Sequence, residues 1–82
     1  MDSAIDHIQR LVTLYATATH RAVSTASRLA LGSGDMITRL AAGHDITTRR
    51  AARTIQWLSD HWPDDLAWPS DIPRPESHRD AA

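Results

Sequence analysis

The side chains of this sequence best suited to chemistry are arginines, and six of them lie between residues 20 and 53. Only two aspartates share that stretch, which leaves a balance of +4, whereas residues 54–82 hold six acids against two arginines, a balance of −4. All nine basic residues of the chain are arginine, whose planar guanidinium suits phosphate and guanine better than an ammonium does. This charge pattern favours a polyanion partner for the middle of the chain.

Three of the arginines form a cluster. Arg49 and Arg53 are four residues apart and share a helix face, with Arg50 beside them. Such clusters are usually just a solvated face. Like charges at this spacing also mildly destabilise a helix, so a polyanion partner would account for their being together. Both interpretations remain open at this point.

Catalytic and metal chemistry find little support in the sequence. The five histidines include no pair four residues apart and no HExxH motif, and cysteine is absent, which excludes disulfides and thiolate metal sites. Residues 32–34 (GSG) are followed by Asp35 and lack the lysine of a phosphate-binding loop. Nothing places a nucleophile beside a base, and a small helical bundle offers little pocket volume. We expect no enzyme activity, no metal and no cofactor.

We expect neither a membrane span nor a signal peptide in this sequence. No apolar run approaches the roughly 18 residues of a membrane span, and the first ten residues are acidic and interrupted rather than a signal peptide. Together with the absence of cysteine, this predicts a soluble, cytoplasmic protein of one small domain. Domains of this size bury only about 60% of their unfolded surface, so each large apolar side chain matters.

Helical periodicity predicts the elements that must position the arginines. The first helix is predicted over residues 3–19, with a capping box formed by Ser3 and Asp6. Its apolar stripe consists of Ile5, Ile8, Val12 and Tyr15, broadened by Leu11 and Leu14. The second helix is predicted over residues 22–31, with Gly32 as a left-handed stop. Its apolar residues are Val23, Ala26, Leu29 and Ala30.

A third helix is predicted over residues 35–42, with Ile37 and Leu40 facing inward and Gly43 at its end. Either Ser33 or Asp35 could cap it. Two short helices separated by a tight glycine-containing turn form the helix-turn-helix pattern.

The fourth helix has the clearest beginning. Thr47 is a good N-cap, Ile46 before it can pack on Ala51, and Pro63 stops the helix. Its apolar face consists of Ala51, Ala52, Ile55, Leu58 and Trp62. No strand pattern occurs anywhere, so we predict an all-α bundle of four to five helices containing a helix-turn-helix.

The stretch WLSDHWPDDLAWPSDIPRP, residues 57–75, contains all three tryptophans of the chain. We expect Trp62 in the core and Trp57 at its edge. Trp68, fixed among prolines, can fold back and cover the bundle, or it can be exposed as a contact with another protein or a second subunit. The predicted organisation is a helical domain over 1–63, an extended segment over 64–75 that covers the core or forms a dimer contact, and a disordered tail over 76–82.

The middle of the chain resembles a known family. The segment VSTASRLALGSGDMITRLAAGHDITTRRAARTIQWL resembles the lambda-repressor-like, Xre-type helix-turn-helix domains, through residues 37–40 (ITRL) with Gly43 and through Ile46 and Thr47 opening the next helix. The ending WLSDHWP, followed by WP and RP, is similar to a group of small bacterial regulator-like proteins. The resemblance implies a DNA-binding bundle whose third helix enters the major groove.

The resemblance also implies which residues meet DNA. The candidates for base contacts are Ser33, Asp35, Met36, Thr38 and Arg39. Arg39 could contact guanine or a phosphate, or be a solvated side chain paired with Asp35; Asp35 could accept from cytosine or, more simply, cap the helix. Met36 could touch a thymine methyl. The candidates for phosphate contacts are Ser24, Thr25, Arg28, His44, Arg49, Arg50 and Arg53, together with the loop amides of Gly43 and His44.

These expectations converge on a sequence-specific regulator of transcription that binds double-stranded DNA, in a bacterium or phage, as a homodimer. The alternative is a small adaptor or antitoxin-like module that docks on another protein through the tryptophan-rich segment. The near-neutral total charge favours the alternative, whereas the basic middle favours DNA. The sequence leaves open whether Trp57, Trp62 and Trp68 pack within one chain or across a dimer.

Overall fold

The computed structural model describes residues 3–76, which form four helices and no strand. The helices are α1 (Ser3–Ala18), α2 (Val23–Leu31), α3 (Met36–Ala41) and α4 (Thr48–Asp60). The prediction of an all-α helical bundle is confirmed, and each predicted helix is present. Apart from Glu76, the tail predicted at 76–82 lies outside the described residues, as does the Ser3 side chain of the predicted capping box. No helix within residues 3–76 is long and apolar enough to cross a membrane.

Helix α1 lies at the centre of the bundle and contacts each of the other three helices, while α2 contacts both α3 and α4. Within the described residues, α3 and α4 do not contact each other. The stripe of α1 is buried as predicted at Ile8, Leu11, Val12 and Tyr15. Leu14 is 36% exposed, so the prediction that it broadens the stripe is wrong. At 100° per residue it falls beyond the edge set by Leu11.

Helix α2 buries a small and partly polar face. Ala26, Ser27 and Leu31 are its buried residues, whereas Val23 and Leu29, two of the apolar residues of this helix, are exposed. Ser27 takes an inward position because its side chain organises the turn that follows. Its hydroxyl donates to the Ser33 carbonyl at 2.7 Å and accepts from the Ile37 N–H at 3.2 Å. These bonds join the middle of α2 to the start of α3.

The ends of the helices follow local signals. Gly32 ends α2 with a φ of 82°, as predicted, in the left-handed region that glycine adopts without strain. Helix α3 ends where the N–H groups of Gly43 and His44 bond the carbonyls of Leu40 and Arg39 at 3.1 and 3.0 Å, the Schellman arrangement. These two amides are therefore already paired, and the prediction that they grip phosphate is wrong.

Helix α4 begins at the predicted cap. The Thr47 hydroxyl accepts a hydrogen bond from the Arg50 N–H at 3.1 Å. Ile46 is half-buried against the core and lines a shallow groove together with Ala51.

The residues that follow α4 contact the bundle. Trp62 and Ile72 are 1% and 3% exposed and belong to the core, and the half-buried Trp68 meets Trp62 edge to face with ring centroids 4.9 Å apart. The indole N–H groups of Trp62 and Trp68 donate to the carbonyls of Leu66 and Ile72, both at 2.8 Å. Each indole thus has a polar partner within the segment.

Arg74 holds the end of this segment on α4. Its Nε donates to the buried Ser59 hydroxyl oxygen at 3.1 Å, and its Nη2 donates to the Ser59 carbonyl at 3.0 Å. The Ser59 hydroxyl in turn donates to the Pro75 carbonyl at 2.7 Å, and the Arg74 guanidinium lies 5.0 Å from the Trp68 ring centroid.

A salt bridge between Arg10 and Asp71 holds the segment on α1. The two groups are joined by hydrogen bonds of 2.7 and 3.3 Å and are both exposed. The hydrogen bond from Arg10 holds the pKa of Asp71 below its ordinary value and, in the same way, raises the pKa of Arg10.

Candidate nucleic-acid interface

A groove of about 470 Å³ separates the C-terminal end of α2 from the N-terminal end of α4. Arg49, Arg50 and Arg53 all line it, so the structure brings the predicted arginine cluster onto one concave surface. The other lining residues are small or apolar: Ala30, Leu31, Gly32, Thr47 and Thr54. We call this surface the arginine groove.

The local sequence of α4 explains why the arginines face the groove. Ala51, Thr54 and Leu58 recur at spacings of three and four and are buried against the bundle, which leaves the arginine positions on an exposed flank. No acidic side chain lines the arginine groove, and no carboxylate of residues 3–76 forms a salt bridge with any of its three arginines. The lining side chains of the groove therefore carry positive charge and no negative charge.

Arg50 differs from its two neighbours. Its Nη2 donates a 2.7 Å hydrogen bond to the Leu31 carbonyl in the last turn of α2. Helix C-terminal carbonyls carry partial negative charge, so a guanidinium placed there is favourable. Arg49 and Arg53 have no such partner within the described residues. The sequence predicted three equivalent phosphate contacts and carried no signal for this bond, which joins residues 19 positions apart.

The outward face of α3 carries three of the predicted base contacts. Asp35, Thr38 and Arg39 are exposed and lie three and four residues apart, so they share one side of the helix. Met36 does not belong to that face. It is 8% exposed and packs in the core, so the prediction of an exposed Met36 is wrong. Met36 and Leu40 are four residues apart and together form the buried side of this six-residue helix.

The cap of α3 also differs from the prediction. Asp35 occupies the N-cap position, but its side chain makes no capping bond, and the half-buried Ser33 uses its hydroxyl to accept the Asp35 N–H at 3.3 Å. The predicted capping role of the Asp35 side chain is therefore wrong. The alternative pairing of Asp35 with Arg39 is also not seen, since within residues 3–76 the Arg39 guanidinium has no carboxylate partner.

The remaining phosphate candidates lie at other ends of these helices. Ser24 and Arg28 are exposed and Thr25 is half-buried on α2, whose N-cap residue Ala22 offers no side-chain acceptor. A Cβ on Gly34 would lie 3.4 Å from the Ser24 carbonyl, so the turn before α3 approaches the first turn of α2. The side chain of His44 is exposed although its amide is paired.

Two exposed surfaces thus lie near opposite ends of α2. One comprises Ser24 and the turn that leads into α3; the other is the arginine groove at Leu31. Leu31 lies seven positions after Ser24, about 10 Å along the helix at ~1.5 Å per residue. Arg28 and Arg39 do not line the arginine groove.

No protein-family model, curated protein or solved structure matches the chain. Within residues 3–76, no group of three or more histidine, aspartate or glutamate side chains could hold a metal ion.

The tryptophans have contacts within the chain. Trp57 is half-buried, meets Tyr15 edge to face at 5.5 Å and stacks on His61 at 4.1 Å. The inner faces of Trp57, Trp62 and Trp68 all contact the core or each other. A partner could reach only the outward faces of Trp57 and Trp68.

Proposed function

We propose that the protein is a sequence-specific regulator that binds double-stranded DNA through a helix-turn-helix of the Xre type and has no catalytic role. In this proposal α2 and α3 are the two helices of the motif, and α3 is the recognition helix in the major groove. The observation that carries the proposal is the arginine groove, which three arginines line and where none of them has a carboxylate partner within residues 3–76. A polyanion is the partner that such a surface fits best.

In this proposal the side chains on the outward face of α3 contact the bases. Arg39 is the leading candidate because its guanidinium has no carboxylate partner in the described chain and can donate two bonds to guanine O6 and N7. Asp35 and Thr38 share its face, and since the Asp35 carboxylate does not cap the helix, it can accept from cytosine.

In this proposal residues near both ends of α2 contact the phosphates. The uncapped first turn, with Ser24 and Thr25, lies beside α3, and the arginine groove lies about 10 Å further along the helix. In the proposal, both surfaces contact backbone phosphates while α3 lies in the major groove. Arg28 and His44, both exposed, complete the candidate set.

The C-terminal segment completes the core in this proposal, and the protein binds as a homodimer. The contacts of Trp62, Trp68 and Arg74 with the bundle support the first part. Docking of another protein through this segment has less support, because the indole N–H groups of Trp62 and Trp68 already bond within the chain.

Fluorescence anisotropy against a pool of random duplexes at several salt concentrations tests the proposal. We expect binding that weakens steeply with salt and is abolished in the triple variant Arg39→Ala, Arg49→Ala, Arg53→Ala. Circular dichroism should show the variant folded, since all three side chains are exposed. An absence of binding at low salt would rule out the DNA-binding function and direct attention to the outward faces of Trp57 and Trp68.

A further inference from the structure

The three arginines of the arginine groove are not equivalent. Arg50 is held by its 2.7 Å hydrogen bond to the Leu31 carbonyl, whereas the guanidinium groups of Arg49 and Arg53 have no partner among the described residues. Arg49 and Arg53 lie four residues apart on one face of α4, so both side chains extend along the same side of the groove.

We propose that the arginine groove is a discrete site for one phosphoryl group, bound by Arg49 and Arg53, with Arg50 as a positioning residue that holds α4 against the end of α2. This inference deepens the proposed function. Only the part that concerns a phosphate of DNA rests on that function. The phosphoryl group belongs either to a DNA backbone or to a free phosphate.

A phosphoryl group fits the donors of this site. Each guanidinium presents a planar fork that bonds two oxygens at once. Two such forks donate four hydrogen bonds from different directions, which the oxygens of a tetrahedral phosphoryl group can accept outside a single plane, whereas the oxygens of a carboxylate lie in one plane. Thr47 also lines the groove. Its oxygen accepts from the Arg50 N–H, which leaves its hydroxyl proton for an anion.

The surroundings favour the same ligand. The groove opens at the N-terminal end of the 13-residue helix α4, where the helix dipole adds partial positive charge to that of the arginines. Arg49 and Arg53 repel each other at this spacing, and a bound anion removes that repulsion.

Arg50 contributes geometry rather than a ligand. The Leu31 carbonyl belongs to the last turn of α2, directly before Gly32 and the turn that leads to α3. The bond from Arg50 therefore fixes where Arg49 and Arg53 stand relative to that turn.

The test uses the full chain labelled with ¹⁵N and titrated with inorganic phosphate at constant ionic strength, with chloride alone as the reference. We expect saturable shifts of the Arg49 and Arg53 Nε–H signals and of the Gly32 amide. The variant Arg49→Gln, Arg53→Gln should bind phosphate about tenfold or more weakly. The matched control Arg21→Gln, at an exposed arginine outside the groove, should bind phosphate as the native protein does. Equal shifts with chloride, or an equal loss of affinity in the control, would overturn the proposal.

Arg50→Gln and Arg49→Gln each remove one positive charge. Comparing their phosphate affinities therefore shows whether Arg50 is a positioning residue or a ligand. A positioning role predicts a smaller loss of phosphate affinity than Arg49→Gln causes, together with a changed Leu31 carbonyl ¹³C shift in the free protein. An equal loss of affinity with an unchanged Leu31 shift would show Arg50 to be a ligand and contradict the assignment.

A short duplex added to the phosphate complex distinguishes the two sources. Displacement of phosphate by the duplex identifies a DNA backbone phosphate, and phosphate that stays bound beside the duplex identifies a free phosphate; either result supports the site. Phosphate binding without any duplex binding would contradict the proposed function alone. Duplex binding without a saturable phosphate site would contradict this inference alone.

Discussion

Two regions of the molecule use arginine in opposite ways. On the C-terminal segment and the helix face it covers, Arg74 bonds the Ser59 hydroxyl and carbonyl, and Arg10 forms a salt bridge with Asp71. In the arginine groove and on α3, Arg49, Arg53 and Arg39 have no carboxylate partner within residues 3–76. Arginine side chains thus hold the C-terminal segment on the bundle in one region and can bind an external anion in the other.

The difference lies in the neighbours, not in exposure, since arginines of both regions are exposed. The arginines that hold the C-terminal segment have a carboxylate, a carbonyl or an indole face as partner, whereas in the arginine groove the one side-chain hydrogen bond found for these arginines within residues 3–76 joins Arg50 to the Leu31 carbonyl. The arginines that have no carboxylate partner within residues 3–76 are the ones available to bind an external anion. The comparison therefore separates arginines that stabilise the fold from those we assign to DNA.

The largest effect should come from the core beneath the C-terminal segment. Trp62→Ala should lower the free energy of unfolding by about 3–5 kcal/mol, because it removes a fully buried indole together with its edge packing on Trp68. Urea denaturation measures this. Arg49→Gln serves as the control and should change stability by no more than about 0.5 kcal/mol. Comparable destabilisation in both variants would erase the distinction between the two regions.

Ser59→Ala should cost about 1–3 kcal/mol of stability, because it leaves the Pro75 carbonyl and the Arg74 Nε without their buried partner. Ser70→Ala, at an exposed serine of the same segment, is the matched control. A Ser59→Ala protein as stable as the control would mean that Arg74 does not fasten the segment.

Arg39→Ala should leave stability unchanged and weaken binding to a selected DNA site by about 1–3 kcal/mol, while relaxing the preference at one base pair. Site selection followed by anisotropy titration measures both quantities. A uniform weakening on all duplexes, with the preferred sequence retained, would assign Arg39 to phosphate instead of a base.

The smallest effect should be the dependence of stability on pH through Asp71. Because the hydrogen bond from Arg10 lowers the folded pKa of Asp71, its contribution is present above the unfolded pKa and disappears as pH falls through the folded value. In Asp71→Asn, the urea midpoint should therefore fall less steeply with decreasing pH below about pH 5 than it does in the native protein. High salt should shrink the difference, since both groups are exposed. Asp65→Asn, an exposed acid before Trp68, should leave the limb unchanged.

The helices were predictable from local signals, because a cap at Thr47, a left-handed stop at Gly32 and the stripe of α1 each act over a few residues. The inward face of short helices was less predictable. The sequence predicts an exposed Met36, although with Leu40 it forms the buried side of α3. Ser27 is buried, whereas Val23 and Leu29 are exposed. The Ser27 hydroxyl bonds the turn between α2 and α3, and hydrophobic periodicity does not predict such a bond.

The residues of the candidate site were predictable from the sequence, but their arrangement in space was not. The spacing of Arg49 and Arg53 was enough to place them on one face, and their position beside the end of α2 depends on tertiary packing. The bonds of Arg50 to Leu31 and of Arg10 to Asp71 join residues 19 and 61 positions apart, and no local pattern encodes them.

The central claim is that the unpaired arginines, and not the paired ones, bind DNA. The most direct measurement is the slope of log binding constant against log salt concentration for duplex binding by the native protein and two variants. In the variant Arg49→Gln, Arg53→Gln the slope should become shallower by about 0.9 for each phosphate that the variant no longer neutralises, whereas in Arg10→Gln it should match that of the native protein. Equal slopes in all three proteins, or a change in Arg10→Gln as large as that in the groove variant, would contradict the account.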